Sequence, residues 1–156
     1  MKKILILISL IIIVQLAGLI GSVFTTPNIN SWYSTLNRPV IAPPNWVFAP
    51  VWTTLFLFMG VALFLVWKNG VKNKQAKIAI TLFFIQLILN ILWSVLFFGL
   101  QNPLIALVEI IFLAIFILLT MIYFYRVNKW AGLLLLPYFL WVLFASVLNF
   151  NFWLIN

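Results

Sequence analysis

Few side chains in this sequence could carry out chemistry, and they do not form a known catalytic group. The 156 residues contain no histidine and no cysteine, and Glu109 is the only acid. Zinc and copper sites need several Cys or His ligands, and one carboxylate cannot enclose a hard cation. A Ser-His-Asp triad and a pair of catalytic carboxylates also need residues that the chain lacks. We therefore predict no metal site, no required cofactor and no firm catalytic residue.

The remaining polar and aromatic side chains suit the binding of a ligand better than catalysis. The chain holds eight tryptophans. Several amides and the single acid fall inside long apolar stretches: Gln15, Gln86, Asn90, Glu109 and Asn149. Indole rings can stack on a flat apolar ligand, which contributes about 0.5–1.5 kcal/mol per aromatic pair beyond the buried area. The helices that carry these residues decide whether they meet.

Composition identifies the chain as an integral membrane protein. Hydrophobic residues make up 67% of it, charged residues make up only 6%, and the mean hydropathy is +1.26. A soluble domain carries roughly 25% charged residues. A membrane helix needs about 20 mostly apolar residues, and such stretches occur at 4–24, 47–67, 78–100, 104–125 and 130–155. We predict an all-α membrane protein whose residues 1–156 form one five-transmembrane-helix bundle, with the first helix retained rather than cleaved.

The basic residues are distributed unevenly between the two ends of the predicted helices. One side of the membrane receives Lys2, Lys3, Lys68, Lys72, Lys74, Lys77, Arg126 and Lys129. The other side receives only Arg38, in the connection 25–46. Because basic flanks stay in the cytoplasm, we predict a cytoplasmic N-terminus, with the C-terminus and this connection outside. Bases at helix ends indicate topology and contact with anionic lipid rather than a nucleic-acid partner.

Three tryptophans lie too deep for the aromatic belt at the membrane surface, where tryptophan is common. At 1.5 Å per residue, Trp52 and Trp93 lie roughly 8–10 Å below the outer ends of their helices, and Trp141 lies about 20 Å down. Asn90 lies about 15 Å down and Glu109 about 9 Å down on the same scale. An acid inside a membrane should face the interior of the bundle or a cavity. These depths predict a pocket in the outer half of the bundle.

Each of these residues also has a purely structural explanation. Glu109, Gln86 and Asn90 could join helices by hydrogen bonds, and the deep tryptophans could fill space between helices. The sequence leaves both explanations open.

The outer connection is stiffened by four prolines between Pro39 and Pro50. A stiff loop loses less entropy when it closes over a pocket. Its apolar residues could form a roof: Val40, Ile41, Val47 and Phe48. The prolines could instead make a tight turn before a helix, because Pro44 suits a helix start.

Three stretches carry a resemblance to a known family: WYSTLNRPVIAPPNWVFAPVWTTLFLFMG, QLILNILWSVLFFGLQNPLIALVEI and PYFLWVLFASVLNF. In this order they resemble the translocator protein (TspO/MBR) family. That family contains the tryptophan-rich sensory proteins of bacteria and the peripheral benzodiazepine receptor of animal mitochondria. The resemblance covers nearly the whole chain and implies a bacterial member in the cytoplasmic membrane.

The resemblance implies a five-helix bundle, commonly a homodimer, with a pocket closed by the first loop. It implies binding of porphyrins such as protoporphyrin IX and haem, and of benzodiazepine- or isoquinoline-type aromatic molecules. By position, the pocket residues of the family fall on Trp32, Tyr33, Trp52, Asn90, Trp93, Trp141 and Ala145. Tyr33 and Ala145 come from the resemblance alone. We add three residues from their own chemistry or depth: Arg38, which could attract a propionate, Glu109 and Asn149.

Three functions remain open at this point. The first is a tetrapyrrole-binding sensory or translocator protein. The second is light- and oxygen-dependent degradation of porphyrin, with Trp52 and Trp141 as the candidate reacting residues. The third is a transporter, for which Glu109 is the only acid available for proton coupling. Animal members end the fifth span with a sterol pattern of Leu/Val, Tyr and Lys/Arg, but this chain has Phe150 at the tyrosine position and no later base, which disfavours a sterol.

Overall fold

The protein is described by a computed structural model that covers residues 1–71 and 73–156. Its helices are α1 (Lys2–Ile29), α2 (Phe48–Lys68), α3 (Lys74–Ser94), α4 (Pro103–Val127), α5 (Lys129–Leu134) and α6 (Leu136–Ile155). With α5 and α6 counted as one span, five helices are long and apolar enough to cross a membrane. The prediction of an all-α, five-helix membrane bundle is confirmed. Lys72, one of the bases used to predict the orientation, lies outside the described residues.

Successive helices run antiparallel, and contacts between their ends define two faces of the bundle. At one end, the Asn69 side chain donates a hydrogen bond to the Val127 carbonyl at 2.9 Å. At the opposite end, Gln101 donates to Asn28 at 3.2 Å. We call the end that contains Asn69 and Val127 the inner end, because the basic residues that follow α2 and α4 in the sequence lie there. The end that contains Gln101 and Asn28 is the outer end.

The inner half of the bundle is filled by side chains. Phe83 and Phe124 stack with their ring centroids 5.6 Å apart, and both are fully buried. Gly132 lets α5 approach α4 closely, since a Cβ at this position would lie 2.8 Å from backbone atoms of Tyr125. In the outer half, the helices surround a cavity.

The first helix extends further than the sequence suggests. α1 continues through Pro27 to Ile29, so the connection starts five residues later than the predicted boundary at residue 25. The side chains of Thr25, Asn28 and Ser31 each donate to the backbone carbonyl four residues earlier, at 2.9–3.2 Å. These bonds give side-chain donors to carbonyls near the helix end.

The outer connection contains two short 3-10 turns, Tyr33–Thr35 and Asn45–Val47. Pro44 caps the second turn, which leads directly into α2, as expected for a helix start. The expected roof is only partly present. Phe48 lines the cavity, but Val40 is fully exposed and Ile41 is 46% exposed. Val40 and Ile41 are therefore not roof residues. Tyr33 of this connection belongs to a buried aromatic cluster, and Leu36 and Ala42 pack against that cluster.

Two helices depart from regular α-geometry near the cavity. α3 ends in a π-helical turn, Val95–Gly99, in which the Leu100 amide donates to the Val95 carbonyl at 2.8 Å. The wider turn directs Phe97 and Phe98 into the bundle, where both are buried. The fifth span breaks at Leu135, just before Pro137, which lacks the N–H that a continuous helix would use.

Candidate functional site

A cavity of about 390 Å³ occupies the outer half of the bundle, between α1, α2, α3 and α6. Ligand pockets in proteins usually have volumes of about 300–1,000 Å³. Of the residues predicted from the sequence, the cavity is lined by Tyr33, Trp52, Asn90, Trp93, Trp141, Ala145 and Asn149. The three deep tryptophans therefore come from three different helices and face one space.

Three predicted site residues do not line this cavity. Trp32 packs with its ring edge against Phe97, with the ring centroids 5.5 Å apart. Arg38 is exposed and donates to the Pro43 carbonyl within the outer connection. Glu109 is only 7% exposed on α4, outside the lining residues. These three residues surround the site and do not form its wall.

Tyr33 closes the outer end of the cavity. Its ring lies 5.2 Å from that of Phe152 and 5.7 Å from that of Phe98, between centroids. The Arg38 guanidinium lies 5.9 Å from the Tyr33 ring centroid on the other side. Burial raises the pKa of the Tyr33 hydroxyl, and the positive charge of Arg38 partly offsets the rise. The hydroxyl is thus neutral at physiological pH, and Tyr33 belongs to an aromatic layer at the outer end of the cavity.

The position of Trp93 is fixed by Asn149. The Trp93 indole N–H donates to Asn149 Oδ1 at 3.0 Å, and Asn149 Nδ2 donates to the Pro103 carbonyl at 2.7 Å. The amide of Asn149 thereby joins α6 to both α3 and the start of α4. Asn149 is a residue that positions Trp93, in addition to lining the cavity.

A second buried chain of hydrogen bonds lies at the floor of the cavity. Asn90 Nδ2 donates to the Tyr138 hydroxyl at 3.0 Å, and that hydroxyl donates to Gln86 Oε1 at 2.8 Å. These bonds fix the amide of Asn90, which lines the cavity. Tyr138 is fully buried and was missed by the sequence analysis. A tyrosine one residue after Pro137, deep in an apolar helix, was the signal that could have revealed it.

Trp141 supplies the unpaired donor of the site. Its indole Nε1 is buried and has no hydrogen-bond partner within the described part of the chain. The ring itself is held by Phe48, 6.1 Å away in an edge-to-face arrangement, and by Phe144 at 5.4 Å. An indole N–H in an apolar cavity can donate to a carbonyl, carboxylate or pyrrole nitrogen of a ligand.

Sequence analysis also missed the contribution of α1 to the wall. The first helix gives small and hydroxyl-bearing residues to the lining: Ala17, Gly18, Gly21, Ser22, Thr25 and Thr26. Gly18 lies against Phe56 of α2, because a Cβ at Gly18 would lie 2.5 Å from that ring. Small residues let membrane helices approach closely, but nothing in the pattern indicates which neighbouring helix they face.

The fold and this cavity define a class of protein: a five-helix integral membrane bundle with a tryptophan-walled internal cavity near one face. The model of the "TspO/MBR family" matches residues 10–154, and the chain belongs to that family.

Named relatives agree with this assignment. The chain is 49% identical over 150 residues to "Tryptophan-rich protein TspO" of Archaeoglobus fulgidus, covering 96% of each chain. It is 36% identical over 140 residues to "Translocator protein" of Homo sapiens, covering 89% of this chain and 83% of the relative. It is 34% identical over 122 residues to "Tryptophan-rich sensory protein" of Cereibacter sphaeroides, covering 78% and 75%.

Proposed function

We propose that the protein binds a flat, largely apolar tetrapyrrole such as protoporphyrin IX or haem in the outer cavity, and acts as a sensory or translocator protein for it. The observation that carries the proposal is the convergence of Trp52, Trp93 and Trp141 on one mostly apolar space. Rings of this kind stack on indoles at about 0.5–1.5 kcal/mol per aromatic pair beyond area burial. Smaller benzodiazepine- or isoquinoline-type molecules would use the same aromatic walls.

Polar groups at the cavity would orient the bound ring. The Trp141 N–H has no partner within the described chain, and a ligand acceptor placed there would satisfy it. The Asn90 amide, fixed by Tyr138, offers a second polar contact on the opposite helix. Arg38 lies outside the cavity, so a role for it would be limited to a propionate that projects through the outer end.

The first test is a dark titration of lipid-reconstituted protein with protoporphyrin IX, followed by tryptophan fluorescence. Saturable quenching is expected, with at least tenfold weaker affinity in the Trp52→Phe/Trp141→Phe variant. Trp67→Phe/Trp130→Phe is the matched control, because these two tryptophans lie at the inner end and do not line the cavity. Linear quenching, equal in all three proteins, would show that the porphyrin only partitions into lipid. An isoquinoline-type competitor added to the same titration is expected to displace the porphyrin.

A second candidate function is light- and oxygen-dependent degradation of the bound porphyrin. The observation in its favour is that Trp52 and Trp141, both oxidisable indoles, face the same cavity. The excited pigment and oxygen would supply the reactivity, and the protein would supply orientation. Illumination of the complex tests it. Equal bleaching rates and equal products for bound and free porphyrin would reject degradation and leave binding intact.

A further inference from the structure

The exposed residues of the cavity lining lie on one side of the bundle. The lining residues that are exposed are Leu19, Thr26, Asn45, Ala49 and Thr53. All of them lie on α1, on α2 or in the turn that leads into α2. The described lining residues of α3 and α6 are all buried or half-buried. The opening of the cavity therefore lies between α1 and α2.

The deeper part of this opening, at Leu19 and Thr53, lies at the depth of the lipid chains, whereas Thr26, Asn45 and Ala49 lie nearer the outer end. Leu19 is 60% exposed and lies ten residues before the end of α1, which is about 15 Å below the outer end at 1.5 Å per residue. Thr53, on the facing helix, is eight residues after Asn45 and thus about 12 Å down. The apolar core of a bilayer is about 30 Å thick, so an opening at these depths lies within it.

At the water-facing end, two sets of contacts hold the outer connection against the bundle. Tyr33 is buried among aromatic rings of α6 and of the π-helical turn that follows α3. Beyond it, the Asn37 amide donates to Asn156 Oδ1 at 2.8 Å, and Asn156 Nδ2 donates back to the Asn37 carbonyl at 3.2 Å. A further bond runs from Asn37 Nδ2 to the Ile155 carbonyl at 3.3 Å. The outer connection is thereby attached to the end of α6.

The lower boundary of the opening is set by close contact between α1 and α2. Gly60 lies against the backbone of Ile11, since a Cβ there would lie 2.8 Å from the Ile11 Cα. One turn nearer the cavity, Gln15 Nε2 donates to the Thr53 carbonyl at 3.0 Å. Further outward, several lining residues on the two helices are small, including Ser22 and Ala49.

Two polar residues at this opening form hydrogen bonds within their own helix. The Ser22 hydroxyl donates to the Leu19 carbonyl at 2.7 Å, and the Thr53 hydroxyl donates to the Ala49 carbonyl at 2.8 Å. A donor satisfied within its own helix can face lipid without leaving an unpaired N–H or O–H. The residues around this opening can therefore face lipid without a neighbouring helix packed against them, and a mobile amphiphile could pass between them.

We propose that the gap between the outer halves of α1 and α2 is a lateral portal. Through it, a flat apolar ligand dissolved in the bilayer reaches the cavity while the outer connection stays closed. This inference rests on the proposed binding of such ligands in the cavity. It adds that they come from the lipid bilayer and that they enter between α1 and α2.

The portal is tested by comparing two adjacent threonines. Thr53 and Thr54 are both exposed, and each hydroxyl donates to the carbonyl four residues earlier at 2.8 Å, but only Thr53 lines the cavity. Stopped-flow quenching with protoporphyrin IX preloaded in vesicles gives the rates. Thr53→Phe is expected to slow both association and release at least tenfold, and Thr54→Phe to change them less than twofold. Ala49→Phe repeats the test if Thr53→Phe does not fold.

The competing route through the outer connection is tested by a cross-link. The chain has no cysteine, so Asn37→Cys/Asn156→Cys places one disulfide between the connection and α6. The oxidised protein is expected to take up vesicle-bound porphyrin within twofold of its reduced form. Loss of uptake on oxidation, or normal rates in both Thr53→Phe and Ala49→Phe, would overturn the portal while leaving binding intact. Absence of saturable binding to the unmodified protein would instead refute the binding function, and the portal with it.

Discussion

At the scale of single residues, Asn149 shows how one amide can serve both the fold and the site. It accepts from Trp93 and donates to the Pro103 carbonyl. Asn149→Leu removes the hydrogen-bond partner of the Trp93 indole N–H and one donor to the Pro103 carbonyl, and a polar group left unsatisfied in a buried place costs roughly 1–3 kcal/mol. We expect a clear fall in the thermal unfolding temperature and altered Trp93 fluorescence. Asn151→Leu is the control, because Asn151 bonds only within its own helix; an equal fall in both would contradict this role.

Glu109 is the other residue whose role the structure narrows. It is 7% exposed, and neither carboxylate oxygen has a hydrogen-bond partner among the described residues. An ionised acid without partners inside a membrane is costly, so the neutral form suits this place. Glu109→Gln, which imitates the neutral acid, is expected to leave the unfolding temperature and porphyrin affinity unchanged. Destabilisation would reveal a charged partner, and loss of porphyrin flux across vesicles would support proton-coupled transport.

The sequence was sufficient to predict site residues that are unusual at their depth in the membrane. It was not sufficient to predict residues whose role depends on their distances to other side chains. Trp52, Trp93 and Asn90 stand out because indoles and amides are unusual well below the membrane surface. Tyr138 did not stand out, because its role depends on the distances from its hydroxyl to two amides of α3. Val40 was one of the residues that could have formed a roof, and it is fully exposed, because the apolar character of a loop residue does not determine its direction.

At the scale of helices, the close contact between α1 and α2 holds the first helix in the bundle. α1 has only three buried residues, Val14, Ala17 and Gly21. Gly60→Ala would bring a Cβ within 2.8 Å of the Ile11 backbone, and overfilling of this kind costs about 1–3 kcal/mol. Gly99→Ala is the matched control, because its nearest neighbour is the Phe24 side chain at 3.1 Å, which can rotate away.

The outcome for these glycines is measured by thermal unfolding in the same detergent. A fall confined to Gly60→Ala is expected, whereas equal stability of the two variants would show that α1 moves freely relative to α2.

The helices could be predicted from composition, but their ends and breaks could not. Apolar length alone located all five spans. The π-helical turn after Ser94 and the extension of α1 past Pro27 leave no signal in the apolar pattern. The part of the cavity wall formed by α1 could not be predicted either, because small residues allow two helices to approach closely but do not indicate which neighbouring helix they face.

At the scale of the whole molecule, the two halves of the bundle differ in kind. Aromatic and aliphatic side chains fill the inner half, whereas the outer half encloses a cavity that opens sideways. This asymmetry has functional meaning only if the two ends face defined compartments. The predicted orientation of the chain in the membrane, which rests on its basic residues, therefore decides which compartment the cavity faces. Formation of a homodimer is a separate prediction.

A cytoplasmic N-terminus is predicted because eight basic residues of the sequence flank the inner ends of the helices, whereas only Arg38 flanks the outer ends. Single cysteines in this cysteine-free chain can report it. Val40→Cys occupies a fully exposed position of the outer connection, and Gln75→Cys an exposed position at the start of α3.

A membrane-impermeant maleimide added to intact cells should label Val40→Cys at once and Gln75→Cys only after permeabilisation. The reverse pattern would place the cavity on the cytoplasmic side, and labelling of both from outside would indicate that the chain inserts in two orientations. The expected pattern would place the portal in the outer leaflet, so that porphyrin reaching the cavity would come from lipid on that side of the membrane.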